Sequence, residues 1–158
     1  MVVHFILRKY FSGVQGIFLC EKLVEKIAWL GYNKEKVSKQ ERRIIMPVTI
    51  KMLLEQYTEI LRKIYGNHLK TVILYGSYAR GDYKADSDID IMILLDLSDM
   101  DIKQYRHELS GETYDFNMDY DLDIKPIAKS QQHFQKWVDV YPFYANVKKE
   151  GVKLFDAA

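Results

Sequence analysis

Residues 74–96 read LYGSYARGDYKADSDIDIMILLD, and they set the interpretation of everything around them. The apolar run Val72–Tyr75 stops at Gly76-Ser77, where a compact basic turn, Ala79-Arg80-Gly81, begins. A second apolar run, Ile89–Leu95, opens with Asp88 and Asp90, one residue apart. In strand geometry residues i and i+2 point to the same side, so the two aspartates share a face while Ile89 and Ile91 take the other. Their Cα atoms lie about 6.6–7 Å apart in that geometry, close enough for two carboxylates to share a cation. Hard divalent cations take oxygen ligands, and Mg²⁺ is typically held by one or two carboxylates together with phosphate oxygens. A tight small-residue turn beside such a pair is a place to hold a polyphosphate.

Working outward, Pro47 suits the first turn of a helix, where its missing N–H is no loss. Ile50, Leu53, Leu54, Tyr57, Ile60, Leu61 and Ile64 then recur at helical spacing, and Gly66 is a natural stop. A strand is expected over Thr71–Tyr75, a short helix around Tyr78–Arg80, and a polar loop over Gly81–Ser87. Ile89–Leu95 is apolar on both faces, as a central covered strand reads. Ser98 or Asp99 can cap a following helix that extends toward Phe116, with Gly111 as its interruption or end. Asp121 to Ile127 alternates polar and apolar and closes at Pro126, which predicts a third strand with Asp121 and Asp123 on one face. Ser130 is expected to cap a helix through Val138. A further helix is expected over Pro142–Glu150, then Gly151 and a last strand, Val152–Phe155. The pattern predicts an α/β (α+β) domain, a small mixed sheet flanked by helices.

The 158 residues are 48% hydrophobic and 28% charged, the balance of one globular domain rather than a disordered chain. One cysteine, Cys20, excludes an internal disulfide framework and fits a reducing compartment, so the cytoplasm is the expected location. The apolar cluster Val2–Leu7 is interrupted by Arg8-Lys9 and lacks the flanks of a signal peptide or the length of a membrane span. Net charge is +1, unevenly placed: residues 1–45 carry nine Lys/Arg against four Asp/Glu, and the remainder carries fourteen against eighteen. Residues 1–45 therefore read as a basic extension, helical over Val14–Leu30, on a domain spanning 46–158. A second reading starts the native protein at Met46. No aromatic and basic interleaving marks a nucleic-acid groove, so stable nucleic-acid binding is not expected. His4, His68, His107 and His133 have no mutual metal-ligand spacing.

A lone Asp-x-Asp or a lone Gly-Ser is weak. Gly76-Ser77, ten residues, then Asp88-x-Asp90, with Ala79-Arg80-Gly81 inside, is specific, and it resembles the signature of the DNA polymerase β-like nucleotidyltransferase superfamily. The small size is similar to its minimal nucleotidyltransferase (MNT) branch, and the likeness extends from about Met46 to Phe155. The resemblance implies a nucleotidyltransferase core in which Asp88 and Asp90 bind two Mg²⁺ ions that bridge the nucleotide phosphates. It implies a third carboxylate on the neighbouring strand that helps to activate the attacking hydroxyl: Asp123 is the first choice and Asp121 the alternative. Gly76 and Ser77 are the expected triphosphate contacts, and Arg80 is either a phosphate contact or a structural ion pair.

The implied reaction is transfer of AMP from ATP to a hydroxyl, with release of pyrophosphate. Antibiotic-modifying members of the superfamily add a helical domain that builds the acceptor pocket, and only about 35 residues follow Asp123 here. The expected acceptor is therefore a partner protein. Stand-alone MNT proteins are similar to the antitoxin half of HEPN/MNT pairs, which implies a tyrosine of a HEPN ribonuclease toxin. A small-molecule, antibiotic-type transferase and a non-catalytic module that neutralises its partner by covering it are the alternatives.

Overall fold

The computed structural model describes residues 48–84 and 86–157. Pro47, the extension over 1–45, Cys20 and the helix expected over Val14–Leu30 lie outside them. Helix α1 (Val48–Tyr65) is followed by a 3-10 turn and strand β1 (Leu69–Tyr75), then by the five-residue helix α2 (Gly76–Arg80). Strand β2 (Ile89–Leu95) leads to a helical stretch in three pieces: α3 (Asp99–Ile102), a 3-10 turn (Lys103–Tyr105) and α4 (Arg106–Tyr120). Strand β3 (Ile124–Ser130), helices α5 (Gln131–Trp137) and α6 (Pro142–Glu150), and strand β4 (Val152–Asp156) complete the domain.

The four strands form one mixed sheet in the order β3-β2-β1-β4, with β2 and β3 parallel and the other two pairings antiparallel. Period-two alternation sorts the side chains between two cores. Val72 and Leu74 of β1, and Ile89, Ile91, Ile93 and Leu95 of β2, face α1 and α4. Ile73, Met92 and Leu94 face the other way, against Phe134 and Val138 from the α5 region and Tyr144 and Val147 of α6. Both faces of the central strands are thus covered, which is why β2 reads as apolar throughout. Tyr57 ties α1 to α4: its hydroxyl lies 2.7 Å from Thr113 Oγ1. Thr113 donates its own proton to Leu109 O, so Tyr57 is the donor to Thr113.

Several boundaries differ from expectation: β1 begins at Leu69 rather than Thr71, and α2 at Gly76 rather than Tyr78. The helix after Ser98 breaks at Lys103–Tyr105, and Gly111 lies inside α4. Gly111 has open space where a Cβ would stand, and α4 is held through Leu109, Thr113 and Phe116, so a single exposed glycine costs about 1 kcal/mol and no more. The third strand runs Ile124–Ser130, not Asp121–Ile127, and Pro126 lies within it. Asp121 adopts a left-handed conformation (φ 52°) as the C-cap of α4, so it shares no strand face with Asp123. The reason is the end of α4: Leu122 N still donates to Asn117 O (3.1 Å), and the Asn117 amide then donates to Ile124 O (3.2 Å) and accepts from Ile124 N (3.0 Å), tying the outer side of β3 to the helix. Ser130 ends β3 and precedes α5 in extended backbone, but its side chain makes no capping hydrogen bond.

Candidate active site

Sheet topology alone gathers the motif. Antiparallel pairing brings the exit of β1 beside the entrance of β2, with Tyr75 opposite Asp90. Parallel pairing brings the entrance of β3 beside the entrance of β2, with Ile124 opposite Ile89. The Ile89 amide donates to Asp123 O (2.8 Å), which sets Asp123 next to Asp88 one step before that pair. Gly76-Ser77, Asp88, Asp90 and Asp123, separated by up to 47 positions, therefore meet at one end of the sheet. The acids share the face covered by α5 and α6, because they alternate with Ile89 and Ile124 of the opposite core.

Gly76 is favoured here twice. Its φ of +72° is a left-handed conformation, and a Cβ on it would collide with Asp90 Oδ2. Any other residue would strain the turn and displace Asp90, whose carboxylate fills the space the missing side chain leaves. Ser77 follows, half-buried, and its carbonyl accepts from Asp82 N (3.1 Å). Gly81, also left-handed, closes α2. The loop to β2 is held by Tyr83, which stacks on Tyr78 with centroids 4.3 Å apart and planes 6° from parallel. Ser87 shapes its end: Ser87 Oγ accepts from Lys84 N (2.9 Å).

The electrostatics are those of concentrated negative charge. Burial raises the Asp90 carboxyl above its ordinary value, the neighbouring Asp88 raises it further, and Arg80 partly offsets both. Burial, then the charges of Asp90 and Asp88, push the Tyr75 phenol up to about 12. Arg80 itself is engaged: Nε donates to Asp82 (3.3 Å), and an ion pair reaches Glu150 of α6 (3.6 Å). Asp123 is largely exposed and paired with Lys125 Nζ at 2.6 Å. Hydrogen bonding and charge from Asp123 raise the Lys125 ammonium, with a contribution from Asp88.

Lys125 is the site residue that sequence reasoning missed. The signal was present: it stands two positions after Asp123 in an alternating strand, opposite Asp90 in the register. Glu150 as the partner of Arg80 had no such signal, since nothing local links α6 to α2. Among the described residues no three acidic, imidazole or thiol groups converge as a metal-ligand set. His68 instead bonds Asp96 (2.8 Å), and His133 pairs with Asp99 (3.1 Å). The pair Asp88 and Asp90 still fits a hard divalent cation in donor type, in shared face and in unbalanced charge. Lys125 holds one oxygen of Asp123 and so competes with a cation for that carboxylate.

A family model described as nucleotidyltransferase domain matches residues 54–155, a span that holds all six of the expected site residues. The candidate protein adenylyltransferase MJ0604 of Methanocaldococcus jannaschii is 35% identical over 102 residues, 65% of this chain and 94% of that protein. MJ0141 of the same organism, named in the same way, is 32% identical over 87 residues, 55% of this chain and 86% of its own length. A chain from a crystal structure of a toxin–antitoxin with AMP-PNP aligns over 65% of this chain and 73% of its own, at 23% identity and a TM-score of 0.40. A likeness that loose carries no functional weight.

Proposed function

The chain belongs to the nucleotidyltransferase domain family, and on that premise we propose that it transfers AMP from ATP to a hydroxyl of a partner protein. The observation that carries this is the acid pair Asp88 and Asp90 set on one face beside the Gly76-Ser77 turn. A protein acceptor is supported by the two relatives named as candidate protein adenylyltransferases, which this chain covers over most of their length. A tyrosine of a HEPN toxin, with an antitoxin role for this chain, is the specific form that the Gly76–Asp90 signature favours through its resemblance to the minimal branch. No helix among the described residues is long and apolar enough to cross a membrane. ATP as substrate and a single cysteine support a cytoplasmic setting.

Asp88 and Asp90 would hold Mg²⁺, with Asp123 as a third ligand. Bound there, two such ions would supply charge neutralisation at the entering and leaving oxygens of an in-line displacement. Ser77 donates its hydroxyl to a phosphate oxygen in this reading, and the bare Gly76 backbone lets that phosphate approach. Asp123, once released by Lys125, accepts the proton of the attacking hydroxyl. The new bond joins that oxygen to the α-phosphorus, and the bond to the β-phosphate oxygen breaks. Arg80 and Lys125 are the cations beside the acid row that would balance the departing pyrophosphate.

The test is incubation of the full chain with α-labelled ATP and Mg²⁺, with and without the product of the neighbouring gene. Label on a partner tyrosine, lost in Asp88→Asn, is the expected result. Label that appears only on an added small molecule would refute a protein acceptor. Neutralisation that survives in the Asp88→Asn, Asp90→Asn double variant would refute the catalytic role.

A further inference from the structure

Strand β3 forms one edge of the sheet, and its outward backbone groups can be assigned one by one. Residues of a parallel strand turn their N–H and C=O alternately toward one neighbour and the other. Asp123 O faces β2, while both backbone groups of Ile124 face outward to the Asn117 amide. By alternation Pro126 and Ala128 also face outward. Pro126 has no N–H to offer, so Ala128 is left with an outward donor and acceptor together. Edge strands in this state are ready to pair with another chain.

That edge is not bare. Between it and the α3–α4 stretch lies a groove of about 730 Å³, floored by Leu109, Ile124 and Ala128. Its volume is in the range of ligand sites, about 300–1,000 Å³. Lys103, Arg106 and Lys129 stand around it, and none has an ion-pair partner among the described residues. The one acid on its wall, Asp99, lies 3.1 Å from His133 Nδ1. Three cations against one acid on one groove stand out on a region, 46–158, in which acids outnumber bases eighteen to fourteen. Beneath the groove Tyr65 keeps a buried hydroxyl with no hydrogen-bond partner among the described residues.

We propose that this groove binds an extended, acidic segment of the acceptor protein, paired to β3 at Ala128 and held by Lys103, Arg106 and Lys129. The proposal rests on the reading of the chain as a protein-modifying transferase, and it assigns that reaction its acceptor surface. The geometry connects the two. Ala128 lies five residues along β3 from Asp123, a distance of about 16 Å at strand rise. A segment anchored at Ala128 can thus present a hydroxyl about five residues further on to the acid row. A nucleic acid is the weaker occupant: three cations neutralise few phosphates, and a sugar–phosphate backbone has no peptide N–H and C=O to pair with Ala128.

The test measures binding of a fluorescent glutamate–tyrosine copolymer to the full chain by anisotropy, without nucleotide. A lysine–tyrosine copolymer and a mixed-sequence single-stranded oligonucleotide serve as comparisons. The glutamate copolymer is expected to bind and to weaken with salt, and the lysine copolymer is expected not to bind. Lys103→Glu, Arg106→Glu and Lys129→Glu together should weaken binding roughly tenfold, since exposed charge pairs are individually modest. Ala128→Pro removes only an outward donor at a position where an edge strand tolerates proline, and should weaken binding several-fold without a change of charge. Equal binding of both copolymers, no loss in these variants, or tighter binding of the oligonucleotide would overturn the proposal. The two readings fail separately. Copolymer binding without label transfer from α-labelled ATP refutes the transferase reading alone, and label transfer unaffected by the charge reversals refutes the groove alone.

Discussion

Asp90→Asn should stabilise the fold while removing its chemistry. The Asp90 carboxylate is half-buried, lies against Gly76, and makes no hydrogen bond among the described residues that an amide would lose. Its nearest like charge is Asp88, at a strand i, i+2 separation of about 6.6–7 Å between Cα atoms. Two unit charges at that distance repel by about 2.5 kcal/mol at an effective dielectric of 20 and by about 0.6 kcal/mol in bulk water. Asp88 is exposed and Arg80 offsets part of the repulsion, so the gain lies toward the lower figure, about 0.5–1 kcal/mol. For a domain of this size that is a rise of about 2–8 °C in Tm. The pH dependence gives the sharper check. Asp90 binds its proton more tightly folded than unfolded, so its contribution destabilises the fold as pH rises from the ordinary carboxylate range through its raised value, and is constant above it. Wild type and variant should therefore differ most at neutral pH and converge as the solution is made acidic. Millimolar Mg²⁺ should raise the Tm of the wild type and leave the variant unmoved. Thermal unfolding followed by circular dichroism, at several pH values with and without Mg²⁺, measures all three effects. A variant less stable than wild type at neutral pH, or a gap that does not shrink on acidification, would refute the burial and like-charge repulsion that raise the Asp90 carboxyl.

Lys125→Gln frees Asp123 from its 2.6 Å ion pair, so Mn²⁺ or Mg²⁺ should bind several-fold more tightly in titration calorimetry. An unchanged affinity would show that Lys125 does not compete for that carboxylate. Gly76→Ala combines a left-handed backbone, worth about 1–2 kcal/mol, with a collision at Asp90. Urea unfolding should show a loss of at least that size, and ATP binding should fall with it; retention of both would contradict the packing described. Asn117→Leu removes both bonds to the Ile124 backbone, a loss of about 1–3 kcal/mol. Hydrogen exchange at the Ile124 amide should accelerate accordingly, and an unchanged rate would mean that the amide bridge contributes nothing.

The local features were legible because their causes are local. Strand β2 was predicted to the residue, since seven successive apolar or alternating positions admit few other readings. Helix α6 was framed by Pro142, whose fixed φ suits a first helical turn, and by Gly151, a residue common just past a helix end. The helix break at Lys103–Tyr105 was not legible, because Gly111 is the stronger local signal and only packing through Leu109, Thr113 and Phe116 overrides it. The start of β3 was misplaced by three residues for a related reason: Asp121–Ile127 alternates, but α4 runs on to Tyr120 and closes through Asp121 and Leu122, so the strand begins only at Ile124.

What residues 74–96 determined by themselves was a pair of carboxylates on one face and a glycine turn beside them, because strand periodicity and left-handed φ are properties of the chain alone. Tertiary structure decided which third acid meets them. Asp121 and Asp123 are indistinguishable by pattern, and only the parallel register of β3 on β2 sets Asp123 beside Asp88. It also decided that Lys125 stands against that acid, and that the outer edge of β3 is closed at Ile124, offers only an acceptor at Pro126, and offers donor and acceptor together at Ala128. Register, sheet order and edge exposure depend on contacts between segments far apart in sequence, and no window of sequence contains both partners of such a contact.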